Sequence, residues 1–98
     1  MYWSVYKSIF FVEGMPQNCH LIANISTQID NQNSQLKSLD EVKEKMIKLV
    51  LRYGGNSIVN FEYGQRLSKR WFSRDGIAWY GSGIVALINP ARLPETND

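Results

Sequence analysis

The sequence predicts an α+β domain: a four-stranded, mainly antiparallel sheet with one helix on one face, in the order strand–strand–helix–strand–strand. Three observations predict it. One stretch alone, Leu39 to Tyr53, repeats its apolar residues at three- and four-residue steps. Four other stretches are rich in aromatic and β-branched residues or alternate in polarity. Glycines stand at the joint after the helix and before and within the last strand.

The first strand is expected over Trp3–Val12, an aromatic and β-branched run. Gly14-Met15-Pro16-Gln17-Asn18 reads as a turn. His20–Thr27 reads as the second strand, with Leu21, Ala23 and Ile25 on one face and His20, Ile22, Asn24 and Ser26 on the other. Residues 28–37 are polar and read as a loop. Ser38 and Glu41 match a capping box, in which the serine hydroxyl accepts from an early helical N–H and the glutamate reaches back. In the helix Leu39, Val42, Met46, Leu49, Val50 and Tyr53 form one apolar stripe, widened by Ile47 and Leu51. Glu41–Lys45 and Glu44–Lys48 are spaced four apart in the favourable order for pairing, at about 0.2–0.5 kcal/mol each. Gly54 and Gly55 end the helix, since glycine accepts the left-handed conformation needed past the last turn.

Ser57–Gly64 is expected to be the third strand, with Val59, Phe61 and Tyr63 opposite Ile58, Asn60 and Glu62. Residues 65–75 read as a loop. Ile77–Ile88 is the long fourth strand, with Gly81 and Gly83 in its middle, where the helix is expected to cross. Asn89-Pro90 stops it, and residues 89–98 are expected to form a disordered tail. One helix covers one face of such a sheet. By alternation the other face carries Ile22, Ile58, Tyr80, Ile84 and Ile88, an apolar patch of the kind that marks an interface.

Ninety-eight residues make a single domain, and chains this short often gain stability by assembling with their own copies. Eleven basic against nine acidic residues give a net charge of +2, too little to argue for nucleic acid from the total. The lone Cys19 excludes an intramolecular disulfide scaffold and points to a reducing compartment. No run approaches the roughly 18 apolar residues of a membrane span. The N-terminus has no early basic region, and its apolar core, SIFFV, is short for a signal peptide. The protein is expected to be cytoplasmic, without a membrane partner.

Cys19 and His20 are the one thiol and the one imidazole of the chain. Neighbours on a strand point to opposite faces, and a structural zinc site needs four ligands. One copy supplies no conventional metal site from them, whereas a ring could pool one such residue per subunit. His20 has no nucleophile partner in the local sequence beyond Cys19, so no catalysis and no cofactor are expected. Tyr80-Gly81-Ser82-Gly83 lies inside a strand, so it does not cradle phosphate at a helix N-terminus. The strongest local charge is Arg66, Lys69, Arg70 and Arg74 around Trp71 and Phe72. Cations interleaved with aromatics can hold phosphates and stack bases, so Arg66, Lys69, Arg70, Trp71 and Arg74 form the alternative reading, a site for nucleic acid or another anion.

KEKMIKLVLRYGGNSIVNFEYGQ followed by WYGSGIVALI resembles the bacterial YbjQ-like family, named for a supposed affinity for heavy metals. In that family a helix ends in a glycine turn, a hydrophobic strand follows, and the last strand carries a glycine among apolar residues. The counterparts here are Gly54–Phe61 and Ser82–Leu87, within a resemblance covering residues 39–88. The stress-sensor lipoprotein of the Rcs system is similar more distantly. The resemblance implies a small α+β domain and a ring-shaped homo-oligomer, a pentamer. The sequence reading is therefore a non-enzymatic oligomerising domain that binds a small ligand or a protein partner.

Overall fold

The computed structural model describes residues 2–31, 39–68 and 76–93. Its elements are β1 Tyr2–Tyr6, β2 Ile9–Glu13, β3 His20–Asn31, α1 Leu39–Tyr53, β4 Ser57–Ser68 and β5 Gly76–Leu87, closed by a 3-10 turn at Pro90–Arg92. The strands form one five-stranded sheet in the order β1-β2-β4-β5-β3. β2 and β4 run parallel, and the other neighbouring pairs run antiparallel. The domain is α+β as expected, but its sheet has five strands and is mixed.

The extra strand comes from the first predicted one. Residues Lys7 and Ser8 adopt positive φ angles of 50° and 70° and fold the run into a hairpin, β1 against β2. Two successive residues with positive φ define the tight hairpin turn whose twist matches its strands. Neither residue is glycine or asparagine, so the turn carries none of its usual sequence signal.

The helix packs as its stripe predicts, with Val42, Met46, Ile47 and Val50 buried. Leu39 and Leu49 are half-buried at its margin, while Leu51 is 65% exposed and Tyr53 47%, so these last two fall outside the contact. Gly54, at φ 80°, follows the last turn. Its N–H donates to the Leu51 carbonyl and that of Gly55 to the Val50 carbonyl, satisfying two orphan acceptors. The capping residue Ser38, with residues 32–37, lies outside the described residues.

Two bulges overturn the simple alternation. On β4 the register steps from Val59↔Ile84 to Glu62↔Ser82, so Asn60 and Phe61 share the space opposite Gly83. Asn60 takes the left-handed conformation, φ 55°, and the pleat reverses at that point. Ile58 and Phe61 thus both enter the cluster under the helix, with Ile9, Phe11, Ile25 and Val85, while Val59 belongs to the opposite face. On β3 the register shifts between Leu21 and Ala23, leaving Ile22 as the extra residue, packed on the helix-side cluster. The expected grouping of Ile22 and Ile58 on the uncovered face is therefore corrected. Tyr80 and Ile84 do stand there: they pair with Gln28 and Asn24 on the side away from the helix.

The glycines of β5 have separate tasks. A Cβ on Gly81 would lie 2.5 Å from Val42 Cγ1 and 2.8 Å from Met46 Sδ, so the helix does cross there. One on Gly83 would meet the β4 bulge instead.

The face opposite the helix is not bare. Val12, Val59 and Ala86 are fully buried in a second cluster with Ile88 and Leu93, flanked by Trp3, Phe10, Cys19 and Ile84. The expected tail of 89–98 is structured over residues 89–93, and residues 94–98 lie outside the described residues. The Asn56 side chain both donates to the Ile88 carbonyl and accepts from its N–H, each at 3.0 Å. The Asn89 carboxamide oxygen then accepts from Ala91, capping the 3-10 turn that delivers Leu93 into the cluster. Ile88 is thereby buried within the chain.

Two further boundaries differ. β3 runs to Asn31, into the predicted loop, and β4 to Ser68, into the predicted 65–75 loop. The β3–β5 and β4–β5 ladders hold these extensions, and backbone pairing of this kind overrides polar composition.

Candidate functional site

The face away from the helix divides into two halves. Towards β1 and β2 it is apolar, carrying Trp3, Val5, Phe10, Val12 and Val59. The Trp3 and Phe10 rings pack at 5.9 Å between centroids. Towards the other end of β3, β4 and β5 it is polar. Cross-strand partners share a face, so the pairs Asn24↔Ile84, Ser26↔Ser82 and Glu62↔Ser82 place one carboxamide, two hydroxyls and one carboxylate together around a single apolar side chain. The Asn60 bulge adds a second carboxamide. A shallow depression of about 270 Å³ is lined by Asn24, Asn60, Glu62, Ser82 and Ile84. A second of the same volume continues along the strands, lined by Ser26, Gln28, Tyr80 and again Ser82.

The two sheet edges are β1 and β3, and among the described residues neither has a second strand neighbour. Exposed apolar side chains accompany both edges. On β1 these are Tyr2 and Val5, the latter 49% exposed; on β3 it is Leu21, at 47%. An unpaired edge offers its N–H and C=O groups to another chain.

The charged cluster of the helix side fastens the hairpin. The Tyr6 hydroxyl donates to Glu44 Oε2 at 3.1 Å, and the Lys7 ammonium pairs with the same oxygen. Lys43 reaches Ser4 Oγ at 3.4 Å, and its ammonium lies 5.1 Å from the Phe11 ring centroid. The Lys7 hydrogen bond holds the Glu44 carboxyl below its ordinary value, and the same bond raises Lys7. Tyr6 is raised by desolvation first and then by its bond to Glu44. Glu44 is spaced to pair along the helix with Lys48; the hairpin takes its Oε2 oxygen, and the Lys48 charge also helps lower the carboxyl.

Cys19 and His20 are not brought together at a common ligand. The Cys19 thiol donates to the Pro16 carbonyl at 3.3 Å and lies 3.9 Å from Met15 Sδ, while its body packs on the open-face cluster. His20 is exposed and pairs with Leu87 in the ladder. Among the described residues no three His, Cys, Asp or Glu side chains gather as a metal site. Of the basic-aromatic set, Lys69, Arg70, Trp71 and Arg74 lie outside the described residues, and Arg66 falls within β4 by its backbone. No described helix is long and apolar enough to cross a membrane.

Sequence alone does not place Trp3, Val5 and Phe10 on the open face, because Trp3–Val12 reads as one strand and the structure folds it into a hairpin. The polar pair Lys7-Ser8 within an apolar run is the signal that marks the turn. Simple alternation puts Asn60 and Glu62 on one face with Ile58, and no local signal announces a bulge centred on asparagine.

These features define a class: small α+β domains in which one helix covers a five-stranded mixed sheet with two dissimilar edges. Among solved structures the chain is similar to the crystal structure, at 2.73 Å resolution, of a protein of unknown function that belongs to the DUF74 family, from Pediococcus pentosaceus ATCC 25745. The two superpose with a TM-score of 0.69 and 15% identity, over 85% of this chain and 100% of the other. The likeness is one of fold. No protein-family model matches the chain, and no curated protein matches it.

Proposed function

We propose that the chain is a non-catalytic, self-associating domain of the YbjQ-like kind, whose copies join edge to edge and bind a small ligand on the sheet face away from the helix. The observation that carries this reading is the pair of dissimilar sheet edges, β1 and β3, lying at opposite ends of the strand order with Tyr2, Val5 and Leu21 exposed beside them. Pairing β1 of one copy with β3 of the next continues the sheet. Such head-to-tail contacts close into a ring when the rotation between copies closes. The ring implied by the sequence resemblance agrees with this arrangement, and the fold shared with the DUF74 protein supports the same kinship.

Sedimentation equilibrium and native mass spectrometry in dilute buffer test the reading. The expected species is a closed multiple of the 11.3 kDa chain, a pentamer on the family resemblance. A chain that stays monomeric at tens of micromolar overturns it.

A further inference from the structure

We infer that the polar half of the open face is a groove for a neutral, hydroxyl-rich ligand two rings long: a disaccharide or a terminal disaccharide unit. This rests on the small-ligand part of the reading above and is independent of how copies assemble.

The chemistry of the lining selects the ligand class. Asn24, Asn60, Ser26 and Ser82 each offer donor and acceptor capacity, and among the described residues Glu62 is the one charged side chain of the two depressions. Among the described residues an anion finds no cation there and meets a carboxylate. A metal ion finds a single carboxylate where hard cations take six or more oxygens. A large apolar ligand would strand these amides and hydroxyls without partners. A polyol fits, because each of its hydroxyls both donates and accepts. Ile84 in one depression and the Tyr80 ring in the other provide surface for the C–H faces of two sugar rings.

The dimensions agree. Each depression, at about 270 Å³, lies just below the range of drug-sized sites and suits one ring. They meet at Ser82. From Ile84 to Tyr80 the strand rises about 13 Å, four residues at about 3.3 Å each, which is room for two rings in line.

The groove also shows a device that aims a side chain into it. Asn60 stands at φ 55° in the interior of β4. Its N–H donates to the Gly14 carbonyl at 2.7 Å, which holds the bulge from the β2 side. Gly83 makes room for it from the β5 side. Bulges of this type re-aim a side chain and recur beside binding sites. Edge-to-edge assembly uses the backbone of β1 and β3 and leaves this face open.

The test is a titration of the isotope-labelled full chain with maltose, cellobiose and diacetylchitobiose, followed by amide shifts. At least one should give saturable shifts at Asn24, Ser26, Glu62 and Ser82, with a dissociation constant on the order of 1 mM, as suits an open groove. Asn60→Gly keeps the positive φ that the bulge needs and removes the carboxamide. It should retain the folded spectrum and weaken binding about tenfold. Absence of saturation with all three sugars at ten times that concentration overturns the inference. So does equal affinity in N60G, or inorganic phosphate shifting the same residues. Light scattering on the same samples separates the two readings: a sugar-binding monomer refutes assembly alone, and an oligomer blind to sugars refutes the groove alone.

Discussion

The Cβ that Gly83 lacks would stand 2.4 Å from Cγ2 of Ile58 and 2.9 Å from the Val59 carbonyl oxygen. Glycine at 83 and the bulge at Asn60 therefore require each other. The bulge turns Ile58 and Phe61 to the same face, and their bodies then occupy the space a side chain at 83 would fill.

Gly83→Ala should destabilise the domain by about 3 kcal/mol, the upper part of the range for overpacking, because one of its clashes is with backbone. Gly81→Ala meets side-chain atoms alone: Val42 Cγ1, Met46 Sδ and, at ordinary contact distance, Phe61 Cε1. It should cost about 1 kcal/mol, since those side chains can turn aside. Urea denaturation of the two variants checks the order, and equal losses would refute it.

Ser8→Gly should stabilise the chain. Ser8 sits at φ 70° in the hairpin turn, and a left-handed residue other than glycine carries a penalty of about 1–2 kcal/mol. Part of that is returned to the greater freedom of glycine in the unfolded chain. A net gain of about 0.5–1 kcal/mol should raise the melting temperature by a few degrees for a domain of this size.

Glu44 makes stability depend on acidity. Its carboxyl is lowered from 4.5 in the folded chain, first by the Lys7 hydrogen bond. The folded state then binds fewer protons than the unfolded state in this range. Its contribution is present above the ordinary value of 4.5 and is lost as pH falls through the lowered one. Glu44→Gln should therefore melt below the parent at pH 7, and the gap should narrow towards pH 3. A gap that stays constant between those two values would remove Glu44 from the account.

Leu21→Lys and Val5→Lys place charges at the two sheet edges without touching the buried clusters. Both should leave the melting curve of the isolated domain within about 0.5 kcal/mol of the parent. Each alone should dissociate the assembly, because a head-to-tail contact needs both edges. Undiminished mass in light scattering for either variant would exclude that edge.

Much of this architecture is legible in the residues. The helix, its Gly54 cap and its buried side depend on a local period and a local turn, and both survive in the structure. The crossing over Gly81 is legible too, since a missing side chain in a long strand implies a close neighbour. The hairpin at Lys7-Ser8 is less so, because a turn that lacks glycine and asparagine is held by the pairing it permits and by Glu44 across on the helix.

What the chain alone determined is the class: one amphipathic helix, extended segments on either side of it, and an end to that helix at two glycines. Those features follow from interactions within a few residues of one another. Tertiary structure decided which face each strand residue takes. A bulge shifts every later side chain by one position, and its existence at Asn60 and Ile22 depends on partners 23 or more residues away, at Gly83 on β5 and between Val85 and Ala86. It also decided that Ile88 and Leu93 are covered by their own chain, through Asn56, and that the polar residues of three strands meet around Ser82. Contacts so distant in sequence leave no period for the eye to find, and they form only when the whole sheet does.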